Sequence, residues 1–142
     1  MTAQTTATIR VTHCYAAAAE RIFDAWLNPT TARRFLFATP TGQMVRAETD
    51  PRVGGQFTFV DRRDGEDIVH TGEYLELERP IRLVFSFLVP KYSSQSTRVS
   101  IEIVPDANGC ELFLTHEGVL PEYKDRSVDG WSKILAALAA ST

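Results

Sequence analysis

The chain has 142 residues, 44% of them apolar and 23% charged, and a net charge of −3. That length suits one ordinary domain able to bury a core without disulfide or metal staples, so a single domain over residues 1–142 is expected. The mild acidity argues against nucleic acid or an anionic membrane as partner. The start, MTAQTTATIRV, has no basic segment followed by an apolar one, and no apolar stretch is long enough to insert in a bilayer. It reads as the short frayed start of a cytoplasmic protein.

Ile9 to Tyr15 alternates as a strand, with Ile9, Val11, His13 and Tyr15 on one face and Cys14 on the other. Cys110 is in phase with Leu112 and Leu114, which puts the two cysteines on opposite faces of a sheet and predicts no disulfide. No CxxC and no histidine at metal-ligand spacing occurs, so neither metal nor cofactor is expected. The alanines of AAAAERIFDAWL favour helix, and Ile22 and Trp26 form a narrow apolar stripe. Asn28-Pro29 ends that helix, and TTARRF starts a second short one with Thr30 or Thr31 as its cap.

From Gln43 onward, strands follow one another between turn signals: Gly54-Gly55, Asp64-Gly65, Arg79-Pro80, the Pro90 to Ser94 loop, and Asn108-Gly109. Leu83, Phe85 and Phe87 alternate with Arg82, Val84 and Ser86, while Val99, Ile101 and Ile103 alternate with Arg98, Ser100 and Glu102. One face is buried and the other is wet. After Gly118 the period changes, and Val128, Trp131, Leu135 and Leu138, with Ile134, mark one side of a C-terminal helix. An α+β fold follows: a curved antiparallel sheet of about seven strands whose apolar face is covered by that helix. Gly54-Gly55 is assigned to turning a hairpin and bending its second strand, with Gly72 as a further bulge position.

The succession FDAWLNP, DPRVGGQFTF, GEYLELERPIRLVFSF, LFLTHEGV and GWSKILAAL resembles the SRPBCC superfamily. Within it, the chain is similar to the C-terminal domain of the activator of the ninety-kilodalton heat-shock protein ATPase. The resemblance implies a helix-grip fold: a curved sheet grips a long C-terminal helix, two short helices support it, and an apolar cavity lies between. Two positions depart from the pattern: AAAA stands where proline is usual, and Phe35 where tryptophan is frequent. The separate N-terminal chaperone-binding domain of the eukaryotic activator has no counterpart in this length, which weighs against a chaperone-activating role.

The candidate cavity residues are Trp26, Phe35, Phe57, Phe59, Tyr74, Phe85, Phe87, Val99, Ile101, Leu112, Leu114, His116, Trp131 and Leu135. Most must simply fill the core. His116, in phase with Leu112 and Leu114, points inward near a sheet end; it is an acid, a base or a ligand donor, or else a structural histidine. The lack of a placed partner favours the structural role, as it does for His70. Tyr74 shares a phase with His70 and offers a hydroxyl to a cavity wall, unless a bulge at Gly72 separates them. Trp131 is the leading wall residue, and Gly130 beside it implies close packing or a bend, because glycine in a helix costs about 1 kcal/mol relative to alanine.

The charged run Asp61 to Asp67 reads as a solvated hairpin tip, and Glu20, Arg21, Arg33 and Arg34 as helix surface. No GxSxG, phosphate-binding glycine loop or supported Cys/His pair is present, so no catalytic residue is assigned. The expected function is binding of a small hydrophobic or amphipathic molecule in the cavity. The alternatives are a cyclase or hydratase type of enzyme using a cavity histidine or carboxylate, and a protein-binding module that contacts a chaperone.

Overall fold

The computed structural model describes residues 6–39 and 41–142. The first five residues of the start expected to fray lie outside them. Seven antiparallel strands form one sheet in the order β1-β7-β6-β5-β4-β3-β2. They are β1 (Ala7–Tyr15), β2 (Gln43–Thr49), β3 (Gln56–Arg63), β4 (Glu66–Glu78), β5 (Arg82–Phe87), β6 (Thr97–Asp106) and β7 (Gly109–Val119). Strands β2 to β7 are a continuous meander, and β1 is added beside β7. Two short helices, α1 (Ala19–Leu27) and α2 (Pro29–Ala32), separate β1 from β2, and α3 (Lys124–Ser141) follows β7.

Alanine propensity alone does not fix a helix start. The first helix begins only at Ala19, where the Ala18 carbonyl, on extended backbone, accepts from Ile22 N at 3.2 Å. Its cap position has no side-chain acceptor. The second helix is capped two or three positions earlier than expected: Asn28, not Thr30 or Thr31, accepts from Thr30 N at 2.9 Å. Pro29 then occupies the first helical position, where its fixed φ and missing N–H are no handicap.

Ile22, Phe23 and Trp26 of α1, Trp131, Leu135 and Leu138 of α3, and the inner residues of the strands form one core. Full burial of a Leu or Phe side chain contributes roughly 1.5–3 kcal/mol, so the faces of α1 and α3 are held by these side chains rather than by local propensity. Tyr15 ties β1 to α3 by donating its hydroxyl to the Leu135 carbonyl at 2.9 Å, and burial raises the pKa of that hydroxyl. Cys110 is buried on the inner face and Cys14 is exposed.

Register shifts fall between Tyr74 and Glu76, between Met44 and Arg46, and between Ala7 and Ile9. The shift in β4 moves its inward set from Ile68, His70 and Tyr74 to Leu77. Gly72 pairs regularly with Phe57, so His70 and Tyr74 do share the inner face. Gly54, at φ 86°, turns the β2–β3 connection, and its N–H donates to the Tyr74 carbonyl at 2.9 Å. Irregular pairing is found at these three register shifts, whereas β3 pairs regularly with β4 from Gln56 onward, just after the glycine pair.

Two residues read as wet are buried. Val84, on the outer face, is 0% exposed, flanked by Arg82, whose guanidinium pairs with both Glu76 and Glu102 at 2.8 Å. Asp61, assigned to a solvated tip, is 1% exposed. The tip itself is Asp64-Gly65, and Asp61 lies on the inward phase of β3 with Phe57 and Phe59.

Candidate functional site

At the end of the sheet where β5 runs out and β6 begins, the core does not fill the space under the sheet. Two adjoining hollows of about 500 and 680 Å³ lie there. They share Arg63, Phe87, Val89, His116, Arg126 and Ser127 as wall. The smaller extends under the β5–β6 loop to Tyr92 and Tyr123. The larger runs along α3 past Gly130, Trp131 and Ile134 to Phe35 and Phe37.

Phe37 is central to the larger hollow. Its backbone has φ 60°, a left-handed conformation that a bulky side chain rarely adopts. The surrounding contacts hold it there. Its ring stacks on His70 (centroids 4.6 Å) and Phe87 (4.9 Å), and meets Phe59 and Trp131 edge-on at 5.8 and 5.9 Å. Arg63 fixes the backbone by donating Nη2 to the Phe37 carbonyl at 3.0 Å. Strain held in place by neighbours in this way is a common mark of a functional region.

His116 belongs to a hydrogen-bonded chain whose direction is fixed at both ends. An indole N–H can only donate, so Trp131 Nε1 donates to His116 Nδ1 at 3.0 Å. The proton of the neutral ring is therefore on Nε2, which donates to Thr97 Oγ1 at 2.7 Å. Thr97 in turn donates to the Phe87 carbonyl at 3.0 Å. Both ring nitrogens are committed, and burial lowers the His116 pKa to about 4. The ring shows the cleft a neutral face.

His70 differs. Its Nδ1 faces the Phe59 carbonyl at 3.3 Å and must be the donor, which leaves Nε2 with a lone pair. That nitrogen has no hydrogen-bond partner among the described residues, although the residue is 6% exposed and lines the larger hollow. Burial first, then the Arg63 charge, lowers its pKa to about 4. The ring is neutral at physiological pH and offers an acceptor to the hollow. Beneath it, Asp61 accepts from Thr39 Oγ1 and from Arg63 Nε, each at 2.8 Å, and its Oδ1 has no partner among the described residues.

Of the candidate cavity residues, the structure brings Phe35, Phe87, His116 and Trp131 to the hollows. Trp26, Phe57, Phe59, Tyr74, Phe85, Val99, Ile101, Leu112, Leu114 and Leu135 fill the core instead. Tyr74 packs on Phe57 at 5.5 Å, away from both hollows. Sequence reasoning left out Phe37, Arg63, Val89, Tyr92 and Arg126, and set His70 aside. His70 carried a usable signal, its phase with Ile68 and Tyr74, whereas Phe37, Val89 and Tyr92 sit in stretches with no period.

Gly130 is not tightly packed: a methyl group there would meet nothing within 4 Å, and the residue lines the larger hollow. The helix gives up stability at this point and gains open space beside Trp131. Gly130→Ala is therefore expected to raise stability by up to about 1 kcal/mol, measured by urea denaturation. A loss of stability would show that the space is occupied.

A curved antiparallel sheet holding a long C-terminal helix, with a cleft at one end, defines the helix-grip class of the SRPBCC superfamily. Residues 16–141 match the model of the family described as Activator of Hsp90 ATPase homolog 1-like protein, and the chain belongs to that family. It is similar in structure to a protein from Chromobacterium violaceum, with 25% identity, TM-score 0.86 and coverage of 94% of each chain. It is also similar to the AHSA1-like protein from Aeromonas hydrophila, with 20% identity, TM-score 0.80 and coverage of 95% of this chain and 91% of that one. A protein of unknown function from Staphylococcus aureus, 16% identical, has a TM-score of 0.85 over 96% of this chain and 93% of its own. No curated protein matches the chain. The fold of this family commonly serves binding of ligands or proteins. Among the described residues, no helix is long and apolar enough to cross a membrane.

Proposed function

We propose that the chain works as a single cytoplasmic domain that binds a small hydrophobic or amphipathic molecule in the cleft between the sheet and α3. One observation carries this reading: hollows of about 500 and 680 Å³ adjoin, and the larger is walled by Phe35, Phe37, Phe87 and Trp131 with one unpartnered acceptor, His70 Nε2. A mostly apolar concavity of that size with few polar groups suits a small molecule. An acceptor on the wall of the hollow favours a ligand with a hydroxyl or N–H directed at it.

Catalysis by His116 has less support. Its two nitrogens are engaged and its lowered pKa is a consequence of burial alone. The chaperone-associated reading rests on the family name and ranks second.

The test uses 1-decanol, which has no chromophore. Titration should shift the tryptophan emission of the wild type through Trp131, since Trp26 lines neither hollow. Trp131→Phe should stay folded, lose about 1 kcal/mol of stability and lose most of the emission change. An emission change that survives in Trp131→Phe would place the binding site elsewhere, and no change in the wild type would count against an apolar cleft.

A further inference from the structure

We infer that the molecule taken by this cleft is an amphipathic organic anion, with its acidic group at Arg126 and its apolar body among Phe37, Phe87 and Trp131. The inference rests on the binding reading above and adds the ligand's charge. It follows from a charge balance along the wall. Four cationic side chains line the larger hollow: Arg34, Arg63, Arg126 and Lys133.

Two of these are neutralised. Lys133 pairs with Asp129 at 2.9 Å, and Arg63 pairs with the buried Asp61 at 2.8 Å. Arg34 and Arg126 have no carboxylate partner among the described residues. The cleft thus has a positive surplus in a chain whose net charge is −3. A wall of one sign raises the local concentration of ligands of the other.

Arg126 is the better placed of the two, because it borders both hollows whereas Arg34 borders only the larger. Its guanidinium lies 5.9 Å from the Tyr123 ring, a cation–π contact that holds the head group at the cleft wall. The planar fork of donors suits a carboxylate or sulfonate. His116, neutral and with both nitrogens engaged, offers the acid neither a charge nor a free donor. Phe37, Phe87 and Trp131 line the larger hollow beside Arg126, so an apolar body has its place next to the charged head group.

Two dyes with the same aromatic body make the test. 1-Anilinonaphthalene-8-sulfonate carries an anion, and N-phenyl-1-naphthylamine does not. Each is titrated by its own fluorescence into the wild type, Arg126→Gln, the cleft-filling Gly130→Leu, and Arg10→Gln as a control, an exposed residue of β1 that lines neither hollow. The wild type should bind both dyes, the sulfonate several-fold tighter at low salt. Arg126→Gln should weaken the sulfonate roughly fivefold and leave the neutral dye unchanged, since a partly exposed charge pair is worth a small factor. About 0.5 M salt should close the gap in the wild type.

Equal affinity of the two dyes, or an unchanged ratio in Arg126→Gln, would overturn the anion inference and leave the binding reading standing. The same holds if Arg10→Gln reduces the ratio as much, since the effect would then be one of net charge. Failure of both dyes to bind would overturn the binding reading and the inference with it. Full binding of both to Gly130→Leu would put the dyes outside the cleft and overturn the inference as stated.

Discussion

Between pH 6.5 and pH 4.5 the protein should lose several kcal/mol of folding stability, and two buried histidines account for it. His70 and His116 are 6% and 5% exposed, and burial is the first cause lowering each from 6.5 to about 4. In the unfolded chain each imidazole gains its proton near pH 6.5, while the folded chain excludes it until about pH 4. The unfolded state therefore binds more protons throughout that window, and stability falls as pH falls. The contribution is fully present above pH 6.5 and gone below about pH 4; at its limit each histidine is worth about 3 kcal/mol. Together they approach the whole stability of an ordinary domain, about 5–15 kcal/mol.

Urea denaturation at pH 7, 5.5 and 4.5 checks this. The arginine-paired carboxylates Asp24, Glu48 and Asp67 have lowered pKa values, so their losses come at lower pH and do not mimic the effect. His70→Phe keeps a ring against Phe37 and should remove roughly half of the pH dependence. A flat profile in the wild type would mean that the rings are hydrated or protonated in the folded state.

Gly72→Ala should destabilise the protein by about 3 kcal/mol, against a stabilising effect of the same substitution at Gly130. A methyl group on Gly72 would overlap the Ser86 carbonyl oxygen and come within 2.7 Å of two Phe57 ring carbons. The oxygen is backbone and cannot swing away. Relief requires β4 and β5 to part, where the ladder is carried by the Thr71–Leu88 bridge on one side and Tyr74–Phe85 on the other. Thermal and urea unfolding of the two alanine variants give a comparison of opposite signs in one chain. A neutral Gly72→Ala would show that the strands separate freely at this point.

The meander was legible because each strand alternates and each turn carries its own dipeptide: Asp64-Gly65 and Asn108-Gly109 mark tight turns wherever they occur. Legibility failed where a tertiary event changed the local rule. The phase of β4 reverses after Tyr74 at a shift that no residue advertises, since Gly72 is the obvious candidate and pairs regularly. Asp61 looks like part of a charged tip until Thr39 and Arg63 are seen to supply its hydrogen bonds.

Much of the candidate cleft lies beyond pattern reasoning for the same cause. Phe37 reaches it through a left-handed backbone, and Val89 and Tyr92 reach it from an irregular loop. Helical and strand periods identify what faces a core, not where that core stops short. Trp131 and His116 were legible as inward-facing, but the hydrogen bond between them depends on how α3 crosses β7.

The place of β1 in the sheet has a consequence for the order of events during synthesis. Among the described residues its one neighbour in the sheet is β7, with Ala7 opposite Val119 and Tyr15 opposite Cys110. At about 5–20 residues per second, β1 leaves the ribosome some 5–20 s before the last residue of its partner. For that interval the meander can assemble strand by strand while β1 waits with its inner side chains uncovered, and α3, which also packs on β1, arrives later still. The chain closes its sheet last, and a nascent chain arrested before Cys110 should remain open to protease at β1 until residues up to Val119 are added.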